Sequence, residues 1–152
     1  TSLSWKGFDL SAIFAYSIGG YIYNRDITMI LHNGSLEGRA WSTEILRRWT
    51  PDNRYTDVPA LSTTSNNWNS ASTRFLQNNS YMRLKNLTLS YNLPKPWISK
   101  LALSSVQVYV QGDNLFTIHK NQGLDPEQGI TGITYYRYPA MRTISGGINI
   151  AF

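Results

Sequence analysis

The stretch FDLSAIFAYSI, Phe8 to Ile18, alternates with period two. Its even positions read Phe8, Leu10, Ala12, Phe14, Tyr16 and Ile18, while the odd ones open with Asp9 and Ser11 and later give Ser17, with Ile13 and Ala15 as exceptions. Successive side chains of a β-strand point to opposite faces, so the stretch predicts a strand with one apolar face. A run of about eleven residues is the length at which a tilted strand crosses a bilayer. Just upstream, Leu3 and Trp5 alternate with Ser2, Ser4 and Lys6, and Lys6-Gly7 predicts a tight turn between two strands.

Three further alternations follow. Between Tyr81 and Tyr91, Leu87, Leu89 and Tyr91 oppose Asn86, Thr88 and Ser90. Met82 and Leu84 run in the other phase around Arg83 and Lys85, a change that a β-bulge or emergence from a membrane would produce. Val106, Val108 and Val110 oppose Gln107, Tyr109 and Gln111, and the pattern continues through Gly112 to Phe116 and Ile118. The last runs to the final residue, with Ile144, Gly146, Ile148, Ile150 and Phe152 against Thr143, Ser145, Gly147, Asn149 and Ala151.

Composition narrows the class. In 152 residues there is no cysteine, only 15% are charged, and 13% are aromatic, against about 25% charged in an average soluble domain. Strands and polar loops are favoured over helices. No run approaches the roughly 18 apolar residues of a membrane helix, a test to which a membrane β-barrel is blind. Zero cysteine removes disulfide scaffolds, thiolate zinc sites and cysteine nucleophiles. The net charge of +5 is spread over Arg47-Arg48, Arg83/Lys85 and Lys95/Lys100 rather than along a stripe, which argues against a nucleic-acid partner. The absence of an initiator methionine or a signal peptide at Thr1 leads us to expect a processed chain or a fragment.

The connections alternate short and long: Lys6-Gly7 and 92–105 against 24–80 and 119–141. All long ones therefore lie at one end of the strands, as in outer-membrane barrels with short periplasmic turns and long outer loops. Within the longest, Trp41 to Trp49 predicts a short helix with Ser42 or Thr43 as N-cap, Glu44 in its first turn and Pro51 as its stop. Asp57, Pro59 and the polar stretch 62–69 read as ordered coil. Pro94 to Ile98 predicts one helical turn that places Trp97 at a membrane interface.

Catalytic patterns are weak. His32 and His119 are single histidines in loops, and Asp125-Pro126-Glu127 has no ligand-rich loop around it; all read as solvated positions. There is no G-x-S-x-G elbow, P-loop or G-x-G-x-x-G. No catalytic residue, metal or cofactor is expected. The loop aromatics Trp41, Trp49, Tyr55, Trp68, Tyr135, Tyr136 and Tyr138 either pack the loops internally or offer rings to sugars and protein partners.

SYMRLKNLTLSYNLP, Ser80 to Pro94, resembles a motif near the C-terminal end of the SusC/RagA family of TonB-dependent outer-membrane transporters of Bacteroidetes. The resemblance extends through VYVQGDNLFTI (Val108 to Ile118), GLDPE (Gly123 to Glu127), YPAMRT (Tyr138 to Thr143) and the terminal INIAF. Upstream it takes in SWKGFDLSAIF (Ser4 to Phe14) and RWTPDN with TDVP (Arg48 to Pro59). It covers nearly the whole chain in the family's order.

This resemblance implies an all-β fold: residues 1–152 as the C-terminal five antiparallel strands, near 1–5, 8–18, 81–91, 106–118 and 142–152, of a barrel of about 22 strands. Residues 24–80 and 119–141 become extracellular loops. The plug and the TonB-contacting box fall outside the chain. It further implies active import of glycan oligosaccharides or peptides, a SusD-like surface lipoprotein as lid, the TonB system as energy source, and contact with lipid, lipopolysaccharide and the barrel assembly machinery. Ile144, Ile148, Ile150 and Phe152 match the family's C-terminal assembly signal, from which Gly146 departs. The C-terminus is then periplasmic, and Trp41, Trp49, Tyr55, Trp68, Tyr135 and Tyr136 become candidates for lid or substrate contact. The alternative from the residues themselves is a soluble carbohydrate-binding β-sandwich, which needs polar outer faces. A hydrolase lacks a credible acid/base pair.

Overall fold

A computed structural model describes residues 1–34, 36–62, 64, 70–101, 103–121, 125–127 and 131–152. They form two compact units. The first comprises Thr1–Gly19, Asn79–Pro126 and Tyr138–Phe152, the second Gly20–Asn78 and Glu127–Arg137. The strands are β1 (Ser2–Trp5), β2 (Phe8–Ser17), β3 (Tyr21–Asn24), β4 (Leu76–Asn78), β5 (Tyr81–Asn92), β6 (Ser105–His119), β7 (Ile133–Thr134) and β8 (Thr143–Ala151).

The first unit is a five-stranded antiparallel sheet in the order β1-β2-β5-β6-β8. Residues directly opposite one another share a face, and the register aligns the separate alternations. Trp5, Phe8, Tyr91, Val108 and Ile148 form one row across all five strands, and Leu3, Leu10, Leu89, Val110 and Gly146 another. Ser4, Asp9, Ser90, Tyr109 and Gly147 form a row of the opposite face. Lys6 and Gly7 turn β1 into β2 with φ of 47° and 89°, the doubly positive geometry that matches strand twist. Between β5 and β6 lies the helical turn α2 (Lys95–Ile98), with Ile98 buried and Trp97 exposed.

The phase change in β5 is a bulge. Ile13 faces Asn86 and Phe14 faces Leu84, so Lys85 is the extra residue. On the other side, Asn86 faces Asp113 and Leu84 faces Phe116, which leaves Asn114 and Leu115 as an answering insertion in β6. Asn114 sits at φ 52°, a left-handed conformation that asparagine tolerates. Met82 and Leu84 thereby return to the face of Leu87 and Leu89. Leu115 folds over Gly112, where an added Cβ would come within 2.6 Å of the leucine methyl. Any larger residue at 112 would require the Leu115 side chain to shift.

In the second unit β3 lies between β4, antiparallel, and β7, parallel. The two stretches expected as loops thus contribute strands to one small sheet. Asn24 caps α1 (Arg25–Ile30) by accepting the Ile27 N–H at 3.1 Å. Leu31, Ile45 and Val58 form a core cluster with Ile27 against it. The helix expected over Trp41 to Trp49 contracts to a 3-10 segment, Thr43–Arg47, capped by Ser42. It ends because Arg48 turns extended and the Trp49 N–H pairs with the Val58 carbonyl at 2.8 Å. Among the described residues no helix is long and apolar enough to cross a membrane.

Candidate functional site

Functional groups gather on the two faces of the five-stranded sheet and on the surface of the second unit. Each is built by a different part of the sequence.

The apolar face is largely open to solvent, with Leu84 buried within it. Leu3, Trp5, Phe8, Leu10, Phe14, Leu89, Val108, Val110, Ile144, Ile148 and Ile150 are all exposed, from 39% at Leu10 to 72% at Ile144. Monomeric soluble domains rarely leave a contiguous apolar surface of this kind. One end of it, beside the Lys6-Gly7 turn, is aromatic: Trp5 with Lys6 Nζ 5.1 Å from its ring, Phe8 and Tyr91 with centroids 4.4 Å apart, Trp97, and Phe152 just beyond β8. Three residues of the expected assembly signal, Ile144, Ile148 and Ile150, lie on this face. The fourth, Phe152, has an exposed ring, and its carbonyl accepts from the Ser104 hydroxyl at 3.2 Å. At the departure from that signal, Gly146 faces Val110, and the neighbouring Gly147 lies under the Tyr109 ring.

The opposite face is knitted by side-chain hydrogen bonds. Asp9 accepts from Ser4 and from Asn92. Asn86 donates to Asp113 at 2.8 Å and accepts from Thr88 at 2.9 Å. Asn149 donates to Gln107, which donates to Ser90. A network of amides, hydroxyls and carboxylates of this kind suits a wetted wall.

The same face carries a buried ion pair that the sequence reading missed. Asp125, expected in solvent, has a side chain only 8% exposed and pairs with Arg83, itself 4% exposed. Arg83 Nε also donates to the Thr117 hydroxyl at 2.9 Å, and the second Asp125 oxygen accepts the Ala140 N–H at 2.7 Å. Arginine on a strand face requires a counter-charge once buried, but the alternation around Arg83 does not disclose that burial.

His32 is likewise not a solvated loop residue. It is 2% exposed, and its Nδ1 accepts the Trp41 indole N–H at 3.0 Å, which orders Trp41 within the loop. His119 stays exposed, with Nδ1 2.8 Å from the Asn121 carbonyl. Tyr135 and Tyr136 are brought together, with centroids 4.3 Å apart. Arg25 lies 4.8 Å over the Tyr135 ring, Arg39 donates to the Tyr136 hydroxyl at 3.1 Å, and Asp26 accepts the Tyr136 N–H at 3.0 Å. Trp49 and Tyr55 are exposed, Tyr55 almost completely, and among the described residues neither stacks on another ring. Trp68 lies outside the described residues. Burial holds the Arg74 guanidinium below its ordinary value, opposed by nearby Asp57. Among the described residues no cluster of histidine, aspartate and glutamate could hold a metal ion.

Comparison with known proteins agrees with this arrangement. No family model matches the chain. TonB-dependent receptor P3 of Formosa agariphila is 36% identical over 162 residues, covering 99% of this chain and 15% of that protein. TonB-dependent receptor SusC of Bacteroides thetaiotaomicron is 27% identical, covering 100% of this chain and 14% of that protein. Among solved structures, the RagAB peptide transporter superposes with a TM-score of 0.84 at 35% identity, over 98% of this chain and 16% of the matched chain. The RagAB peptide importer in its open-open state gives 0.85. The chain therefore spans about a sixth of the length of the proteins it matches.

Proposed function

This chain is homologous along essentially its whole length to the TonB-dependent receptors of the SusC/RagA type, and on that premise we propose that it forms five C-terminal strands of the barrel wall of an outer-membrane nutrient importer. In this reading the apolar face meets lipid and the hydrogen-bonded face lines the lumen. Phe152 and the Lys6-Gly7 turn lie at the periplasmic end. The second unit is extracellular, where its exposed aromatics meet a SusD-like lipoprotein lid or the cargo, a glycan or peptide drawn in with energy from TonB. The rest of the barrel, the plug and the assembly machinery complete the list of partners, and the protein is a transporter rather than an enzyme.

The observation that carries this reading is the exposed apolar face shared by all five strands, opposite a mainly polar one in which Ile13 and Ala15 are exceptions. Dimensions support it. The ten residues of β2 extend about 33 Å at roughly 3.3 Å each, and at a tilt near 40° they rise about 25 Å, the height of a barrel's apolar band. The aromatic end of the face fits an interfacial girdle. A soluble β-sandwich would bury this face under a second sheet about 10 Å away, whereas here its side chains stand open.

The test is a pair of charge substitutions in the full-length receptor. Ile148→Arg on the apolar face should cost about 2 to 4 kcal/mol near the midplane and lower the outer-membrane level. Asn149→Arg, on the other face, should leave that level near wild type. Equal levels for the two variants would overturn the orientation.

A further inference from the structure

The second unit contains a cleft of about 500 Å³ lined by Tyr23, Met29, Leu36, Ala71 and Ile133, with Arg25 as its cation. The guanidinium lies over the Tyr135 ring at 4.8 Å. A stacked guanidinium keeps its in-plane N–H donors available for a carboxylate. Among the described residues no carboxylate forms an ion pair with Arg25, and the adjacent Asp26 carboxylate accepts the Tyr136 N–H. A fixed cation beside an apolar cleft is an arrangement for a ligand that carries an anion and a greasy group together.

We propose that this cleft binds the free C-terminal end of a short peptide, its carboxylate on Arg25 and an apolar last side chain among Met29, Leu36 and Ile133. This deepens the importer reading and rests on it, since it assigns a substrate class to the extracellular unit. The volume suits a group of one to three residues. Charge complementarity selects the carboxylate end over the ammonium end. An acidic sugar fits less well, because its hydroxyls would lose water without gaining partners. Besides Arg25, the polar side chains at the cleft are Tyr23 and Thr28, and the Thr28 hydroxyl is already donated to the Arg25 carbonyl at 2.6 Å.

The experiment uses the full-length receptor purified from outer membranes. Binding is measured for the tripeptide Ala-Ala-Leu, its C-terminal amide, and digalacturonate. The free acid should bind about tenfold more tightly than the amide, the size of one charge-assisted contact. Arg25→Gln should erase that difference, while Arg25→Lys keeps part of it. Arg25 is exposed, so folding is not at stake, and Leu36→Trp, which fills the cleft without adding charge, should lower binding of acid and amide alike. Equal binding of acid and amide by the wild type, a difference that survives in Arg25→Gln, or Arg25-dependent binding of digalacturonate in preference to the peptide would overturn the proposal. Receptor absent from the outer membrane would instead count against the importer reading, and the two failures are told apart by the membrane fraction.

Discussion

Arg83 lies on the polar face of β5 with its guanidinium almost wholly removed from water, tied to Asp125 and Thr117. Such a pair contributes little net stability relative to an apolar replacement, yet breaking it on one side strands the other charge. Arg83→Met should therefore destabilise the sheet by about 3 to 5 kcal/mol, while Arg83→Met with Asp125→Leu should recover most of the loss. Thermal unfolding of the full receptor reads both; a double variant no better than the single one would show that the pairing is not the source. The second Asp125 oxygen holds Ala140, so the pair closes the base of the excursion between residues 126 and 139. Nothing near Asp125 in the sequence announces this role, because its partner is 42 residues away. His32 was hidden for a different reason: the Trp41 that bonds it is only nine residues on, but its burial follows from packing.

At the scale of elements, the strands of the large sheet were the legible part. Alternation is a local property, and each strand declares which of its residues share a face before any partner is known. Register is not local. The change of phase between Leu84 and Leu87 is compatible with a bulge or with the end of a buried segment, and the choice is made by Phe14 and Phe116, both of which face Leu84. Deleting Lys85 alone removes the extra residue and leaves Met82, Leu84, Leu87 and Leu89 alternating without a break against Arg83, Asn86 and Thr88, so the faces should stay aligned and the folded receptor recovered from membranes should stay near wild type. Deleting both Lys85 and Asn86 should instead turn Arg83 toward the apolar face, at about 2 to 4 kcal/mol for the charge, and lower recovery several-fold; equal loss in the two variants would mean that Lys85 is not the extra residue. The strands of the second unit gave no comparable signal. At two to four residues, β3, β4 and β7 are too short to show a period, and they exist because distant segments supply hydrogen-bond partners.

At the scale of the whole molecule, the exposed apolar face decides the solvent. Low overall charge, 15%, looks like an ordinary β domain until the register places the apolar residues of five strands on one side. The isolated chain should then associate when refolded without detergent and become monodisperse in micelles, read by light scattering. A compact detergent-free monomer would favour the soluble sandwich over a membrane wall. Trp49 and Tyr55 of the second unit are exposed, and within the described residues neither stacks on another ring.

The amino-acid sequence by itself determined that this protein is built of strands with one apolar face, where its tight turn falls, and which family it resembles, because side-chain period, glycine geometry and motif order are written in neighbouring residues. Tertiary structure decided how the faces align, that Lys85, Asn114 and Leu115 keep them aligned, that Asp125 and His32 are buried, and that two stretches expected as loops share a sheet and shape a cleft beside Arg25. Those outcomes depend on which distant segments meet. Contact across the chain, with the desolvation it imposes on Arg83 and the hydrogen bonds it supplies to β7, belongs to the folded arrangement and to no single stretch of sequence.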